Sequence, residues 1–381
     1  MSTKPSAQST KNRWRVRYHL FAPEPLARQM AAELTVEQTI EFPLELVASP
    51  WIREQIVGQQ RALRPLPSGD GFVLDVEYAD ELVGGELGQL LNVLFGNSSL
   101  KPGIRVEAVD SFRAAGVKGP RFGLEGLRKR LGAQDRPLLC SALKPMGSSV
   151  KELATMAFEM AMGGVDLIKD DHGLANQPFC PFEDRVRACA EAVQEANLRS
   201  GGQTVYCPNP CGSAQTQERA HFAKAAGAGG LLLAPGLIGF DAMRALAEDD
   251  ALGMVILMHP ALLGSFVSSP QSGLSHALLF GTLARAAGAD VSIFPSYGGR
   301  FSFSPEQCRG IRDASLEPWE LPPLWPAPAG GMSMGRVAEL IDFYGRDVVL
   351  LIGGDLHRDP QGLRAACARF RERVEQAAEL H

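Results

Sequence analysis

The chain has 381 residues, 45% of them hydrophobic and 21% charged, with 40 Gly and 26 Pro. At about 100–200 residues per domain, a soluble globular protein of this length holds two domains, or one large barrel with a smaller appendage. The 38 Lys and Arg against 43 Asp and Glu leave a net charge of −5, which removes the attraction that non-specific binding to nucleic acid or a membrane surface needs.

The opening MSTKPSAQSTKNRWRVRY is polar and basic, with no apolar run of signal-peptide length, and no stretch of the chain is apolar enough to span a bilayer. A cytoplasmic location is therefore expected, with the seven Cys as free thiols rather than a disulfide framework. Residues 1–11 offer nothing to bury and are expected to be disordered. In the next stretch WRVRYHLF from Trp14 and FVLDVEYA from Phe72 alternate apolar and polar residues, as half-buried antiparallel strands do. PEPLARQMAAEL and GELGQLLNVLFG have helical spacing, so residues 12–136 are expected to form a small α+β domain.

From residue 137 a second pattern repeats eight times: a short apolar run ending in Gly, Pro, Asn or Asp, then an amphipathic stretch. The strand candidates begin at Pro137 (PLLCSALKP), Val165 (VDLIKDD), Thr204 (TVYCPN), Gly230 (GLLLAP), Met254 (MVILMHP), Val291 (VSIFPS), Leu324 (LWPAPAG) and Val348 (VVLLIGG). Helix candidates between and after them include VKELATMAFEMAM, FEDRVRACAEAVQEA, SHALLFGTLARAAG, MGRVAELIDFYG and PQGLRAACARFRERVEQAAEL. Near-continuous apolar strands alternating with helices imply a parallel sheet covered by helices. The simplest closure is a (β/α)8 TIM barrel over residues 137–381. An open doubly wound sheet is the alternative, but neither G-x-G-x-x-G nor G-x-x-x-x-G-K-[ST] follows a strand.

Chemistry in such barrels sits where the strands end. The first ends in Lys144-Pro145, the second in Lys169-Asp170-Asp171-His172, the third in Asn209 and the fifth in His259. The sixth ends in Ser296, ahead of Tyr297-Gly298-Gly299-Arg300, the seventh in Gly330-Gly331 and the eighth in Gly353-Gly354. Period-two alternation turns Lys169 and Asp171 to one side. Either they form a plain ion pair, or Lys169 takes up CO2 as a carbamate that joins Asp171 and His172 around a divalent cation, an oxygen-rich set suited to Mg²⁺. The paired glycines either let the chain turn tightly or offer bare N–H groups to a phosphate. Cys207 and Cys211 in CPNPC have three residues between them and no second pair nearby, which argues against zinc.

The stretch ALKPMGSSVKELATMAFEMAMGGVDLIKDDHGLANQPFCPFEDRV resembles the segment of the RuBisCO large subunit that carries its catalytic and carbamylated lysines. The order AAELTVEQT, VLFGN, KP, KDD, YCPNPCG, fifth-strand histidine, PAGG and LIGGD is similar along nearly the whole chain. The resemblance implies a ferredoxin-like amino-terminal domain, a barrel, and a homodimer or larger assembly whose active sites lie between one subunit's barrel and its partner's amino-terminal domain. It also implies that Lys144 moves protons at the substrate, that Lys169 carries the carbamate, and that Asp171 is a metal ligand with His172 at the position of another. Gly330, Gly331, Gly353 and Gly354 would form a phosphate site, and Glu37 and Asn97 would be the partner's contribution. His259 matches a histidine near the substrate, and Asn209, Ser296 and Arg300 are expected to touch it.

The departures narrow the reaction. Met146 stands where RuBisCO has the second lysine of KPK, Pro260 replaces an arginine, and IFPSYGGR lacks both the His-Ser-Gly motif and the lysine-bearing loop. Carboxylation of ribulose bisphosphate is therefore not expected. The chain resembles the RuBisCO-like proteins of form IV, which keep metal-enolate chemistry, and one surviving phosphate cradle implies a monophosphorylated substrate. His172 adds a nitrogen donor that would widen the metal choice from Mg²⁺ toward Mn²⁺. Three known reactions fit: decarboxylation of 3-oxo-isoapionate 4-phosphate in apiose breakdown, and isomerisation or enolisation of methylthio-pentulose phosphates in methionine salvage. Because arginine fits a carboxylate bidentately, Arg300 favours the decarboxylase, with the isomerase or enolase as the alternative. A non-catalytic homologue is the third reading, against which stands the joint retention of Lys144, Lys169 and Asp171.

Overall fold

A computed structural model describes residues 13–212, 214–301 and 303–380; the expectation of disorder over residues 1–11 lies outside them. The chain divides into two compact units, Met1–Val117 with Ser265–Leu278, and Lys118–Gly264 with Leu279–His381.

The first unit runs β1 (Arg13–Leu20), helix Glu24–Glu37, β2 (Gln59–Pro65), β3 (Phe72–Ala79), helix Leu87–Phe95 and β4 (Ile104–Val109). β1 pairs antiparallel with β3 and β4, and β2 with β3. The resulting β4-β1-β3-β2 order is the ferredoxin-like arrangement, and the short strand Gly273–Leu274 extends it alongside β4. Alternation does the work expected of it in β1: Trp14, Val16, Tyr18 and Leu20 are buried while Arg15 and Arg17 face out. Tyr18 spends its hydroxyl on Leu94 O (2.8 Å) and the Tyr78 hydroxyl (3.0 Å), which lets a polar tip sit in the core. β2 carries little apolar side chain because it is the sheet edge; cross-strand pairs Arg61–Glu77 (2.7 Å) and Arg64–Asp75 (2.8 Å) support its register instead.

In the second unit all eight expected strands form: Leu138–Leu143, Leu167–Asp170, Val205–Cys207, Gly230–Leu233, Val255–Met258, Val291–Pro295, Trp325–Ala329 and Val349–Leu351. The eighth, first, second and third pair in parallel, as do the fourth to seventh. Gly229 N–H donates to Tyr206 O (3.2 Å) and Leu232 N–H to Pro208 O (2.9 Å), joining third to fourth. The seventh strand lies against the eighth, so the sheet closes into a (β/α)8 barrel.

The barrel's amino-terminal half is filled by Leu138, Leu167, Val205, Leu232, Val255, Val291, Trp325 and Val349, with Leu127 and Leu131 of the helix Gly123–Leu131 packed among them. That helix is why the second unit begins at Lys118 rather than at residue 137. Its first N–H groups are received by the buried Asp290, through Phe122 N (2.7 Å) and Gly123 N (3.1 Å), and Trp325 Nε1 donates to Gly123 O (3.2 Å). At the other end of the barrel, Ser149 and Glu152 form a capping box that starts the helix Val150–Met162 soon after Lys144. Among the described residues no helix is long and apolar enough to cross a membrane, and the seven cysteines are buried free thiols.

Candidate active site

The first two barrel strands build the centre of the site. Lys144, just past the first, places Nζ 2.9 Å from Asp171 Oδ2, while His172 Nδ1 lies 2.8 Å from Asp171 Oδ1. Gly173 N–H also donates to Oδ1 (3.2 Å). Burial opposes ionisation of Asp171, but the bonds from His172 and Lys144 outweigh it and hold the carboxyl well below the usual carboxylate range. The His172 ring stacks on His259, with centroids 4.5 Å apart and planes 13° from parallel. Ala261 N–H donates to His259 Nδ1 (3.1 Å), which makes that nitrogen the acceptor. Burial, with repulsion from Lys169 and His172, pushes the His259 imidazole down to about 2; it is a neutral ring at working pH.

Lys169 is 4% exposed. Its Nζ donates to Asp170 O (3.0 Å), and among the described residues no carboxylate oxygen lies within 4.0 Å of it. The ion pair considered between Lys169 and Asp171 does not form, because Lys144 is the lysine that Asp171 engages. Burial depresses the Lys169 ammonium below the ordinary lysine range. That favours the neutral amine, the form that reacts with CO2. No three His, Cys, Asp or Glu side chains cluster as a ready-made cation site among the described residues. Asp171 and His172 supply two donors side by side, and the third fits only if Lys169 itself becomes an oxygen ligand.

Two expected substrate contacts are committed elsewhere. Asn209 donates both amide hydrogens to main chain, at His172 O and Leu174 O (3.0 Å each), and accepts from Cys211 N. It holds the His172 turn rather than facing a ligand. Ser296 is fully buried, with Oγ 3.2 Å from the Tyr344 hydroxyl.

The glycine pairs differ from each other. Gly330 and Gly331 have φ of +91° and +98°, a region costly for any side chain, and they are closely packed. Arg300 N–H donates to Gly330 O (2.7 Å), and a Cβ on Gly331 would meet Arg300 Cγ at 3.0 Å. Around Gly353 and Gly354 a Cβ would meet nothing within 4 Å, while their carbonyls accept from Leu356 N–H (3.1 Å) and His357 N–H (3.3 Å). Met334 N–H donates to Asp355 Oδ2 (3.0 Å), tying the two loops together. Met146, 52% exposed, lays its methyl over Gly173, where a Cβ would come within 2.4 Å of Cε.

In the first unit, Asn97 Nδ2 donates to Glu37 Oε1 (3.1 Å), so the two residues expected to act together are in contact. Gln38 secures them by donating to Asn92 O and Val93 O and accepting from Ser98 N. The sequence reading missed Gln38, and it also missed Arg185. The latter was legible as an arginine at a core position of an otherwise apolar helix stripe, Phe182, Val186 and Cys189.

A ferredoxin-like unit and a barrel with lysines and acids at the ends of its first two strands define a fold and strand-end pattern to which the comparisons give a family. Residues 123–379 match the ribulose bisphosphate carboxylase large chain, catalytic domain. The chain is 42% identical over 357 residues to ribulose bisphosphate carboxylase-like protein 1 of Rhodopseudomonas palustris, covering 93% of this chain and 95% of that one. It is 38% identical over 373 residues to the 5-methylthioribulose-1-phosphate isomerase of Rhodospirillum rubrum, covering 96% and 97%. A solved RuBisCO-like protein from Rhodopseudomonas palustris superposes with a TM-score of 0.86 at 38% identity, over 96% of this chain and 98% of that one. The chain belongs to the RuBisCO large-chain family, as one of its RuBisCO-like members.

Proposed function

We propose that this protein moves a proton at the carbon beside the carbonyl of a phosphorylated ketose, as an isomerase or enolase of methylthio-pentulose phosphates. The observation that carries the reading is the contact of Lys144, past the first barrel strand, with Asp171, past the second, whose other carboxylate oxygen is engaged by His172. It gives a lysine, 40% exposed on its side chain, within reach of a substrate and oriented by a fixed carboxylate. The similarity to a 5-methylthioribulose-1-phosphate isomerase supports it. So does Met146, which offers an exposed thioether rather than an ammonium beside the His172 turn and suits an apolar methylthio tail.

The decarboxylase favoured from sequence leaned on Arg300 meeting a carboxylate. The Arg300 stem packs on the Gly330-Gly331 turn instead, with its guanidinium carbon 5.6 Å from the Phe301 ring centroid, which makes it a partner for a phosphate received at the glycine turns. The residues also fit a divalent cation: Lys169 as a carbamate, Asp171 and His172 would hold it. When bound, it would polarise the substrate carbonyl and make the neighbouring C–H more acidic. Lys144 takes the proton as a neutral amine and returns it as an ammonium that Asp171 keeps directed, and neutral His259 packs His172 in place.

The test is to follow candidate substrates by NMR in D2O. A methylthio-ribulose phosphate or its diketo relative is expected to gain deuterium at the carbon beside the carbonyl and to convert without loss of CO2. Release of CO2 from 3-oxo-isoapionate 4-phosphate, with no exchange in the methylthio compounds, would overturn the reading.

Two further outcomes are expected. His172→Glu adds a negative charge to the donor set and is expected to raise Mg²⁺ affinity relative to Mn²⁺; if calorimetry finds His172→Ala binding both metals like the parent, the imidazole is no ligand. Mixing inactive Glu37→Gln and Lys144→Ala subunits is expected to restore about a quarter of the parent activity, because half of randomly paired dimers are hybrid and each carries one intact site of two. No recovery on mixing, after subunit exchange is shown, would remove Glu37 from a shared site.

A further inference from the structure

We propose that Asp170 and Arg185 are positioning residues: a buried ion pair on the back of the second strand fixes the main chain that aims Asp171 and His172. The proposal deepens the reading above, on which its kinetic part rests. Asp170 is fully buried on the strand face opposite Lys169 and Asp171. Its carboxylate accepts from Tyr206 OH (2.8 Å) on Oδ1, and from Arg185 Nε (3.1 Å) and Asn209 N (3.0 Å) on Oδ2.

The pair also holds the turn that follows. Arg185 donates on from the same guanidinium to Ala175 O (2.9 Å) and Cys180 O (3.1 Å), while Asn209 reaches His172 O and Leu174 O. Carbonyls at 172, 174, 175 and 180 are thus tied from behind by two side chains whose residues are held by Asp170, Arg185 through its guanidinium and Asn209 through its main-chain N–H. Only a planar guanidinium reaches a carboxylate and two separate carbonyls at once; a lysine has the charge without the fork. A buried ion pair is a poor source of stability compared with an apolar replacement. What this one supplies is a single geometry for the turn, and with it a fixed place for the two side chains on the front. Misplacement of such groups by about 1 Å costs on the order of 100-fold in rate.

The experiment compares Arg185→Lys and Asn209→Ala with Arg285→Lys. Arg285 is an equally buried arginine that ties a different loop, through Ala314 O and Glu317 O. Hydrogen exchange read by mass spectrometry needs no substrate. In Arg185→Lys and Asn209→Ala, peptides covering residues 171–176 are expected to exchange at least about tenfold faster, while peptides from the other barrel strands keep the parent rate. With the methylthio substrate, kcat is expected to fall about 100-fold and KM to change little. Arg285→Lys is expected to lower the melting temperature without either effect. Unchanged exchange over 171–176 in folded Arg185→Lys overturns the proposal, as does an equal kcat loss in Arg285→Lys. If Arg185→Lys does not fold, Asp170→Asn decides: it keeps the side-chain shape and removes the charge of the pair, and unchanged exchange over 171–176 in it overturns the proposal. Faster local exchange in a protein whose parent never turns over the methylthio compounds sinks the substrate reading and leaves the positioning role standing.

Discussion

Lys169→Ala is expected to abolish turnover and cation binding while leaving the barrel folded. The lysine is buried with a main-chain oxygen at its Nζ, so removing it breaks no ion pair among the described residues and takes a desolvated amine out of the interior. What is lost is the group that would complete the donor set of Asp171 and His172. Stabilisation of developing charge by a bound cation is worth several kcal/mol; at about 1.4 kcal/mol per factor of ten, about 4 kcal/mol corresponds to a thousandfold fall in rate. Bicarbonate with Mg²⁺ is expected to raise the melting temperature of the parent and not of the variant, since binding to the folded state alone stabilises it by mass action. A Lys169→Ala protein with full activity would rule out the carbamate.

The second large effect lies at the opposite end of the barrel and concerns stability. Asp290 is fully buried beneath the sheet, and burial pushes its carboxyl up to about 6 from an ordinary 3.8, against three N–H bonds from Ile256, Phe122 and Gly123. The folded chain therefore holds a proton that the unfolded chain has released over that interval. The contribution is fully present below about pH 3.8 and is lost as pH rises to about 6. It amounts to about 3 kcal/mol at 1.36 kcal/mol per unit. Asp290→Asn cannot titrate, so its stability relative to the parent is expected to improve as pH rises from 4 to 7. Urea unfolding at several pH values measures this, and parallel pH profiles for parent and variant would show that Asp290 keeps its ordinary acidity.

Why some of this was legible in the sequence and some was not follows from what each element buries. The eight barrel strands are enclosed on both faces, so they appear as continuous apolar runs, and their order alone brings Lys144, Lys169, Asp171, His172 and His259 to one end. β2 was not read because an edge strand such as QQRALRP buries little. The helix Gly123–Leu131 belongs with the barrel rather than with residues 12–136, because Leu127 and Leu131 lie in the barrel floor and Leu124 packs against it, a stripe too short to announce its partner locally. The return of Gly273–Leu274 to the first sheet is a two-residue pairing between distant parts of the chain, which no local pattern announces. At the site, position on a strand end told which residues arrive there but not how their side chains are spent. Asn209 and Ser296 are engaged within the protein, whereas Asp170 and Arg185, one facing away from the site and the other on a helix, hold the turn in place.

The packed floor beneath the site makes the barrel a blind-ended vessel. Lys169 lies deep in it at 4% exposure, while the side chains of Lys144 and His172 stand at 40% and 53% nearer the mouth. Among the described residues the lower half is filled by Leu138, Val205, Val291, Trp325 and their neighbours. A small molecule that reacts at the deep lysine is therefore expected to arrive before one that settles on the outer pair, so that the layering of the barrel sets an order of assembly.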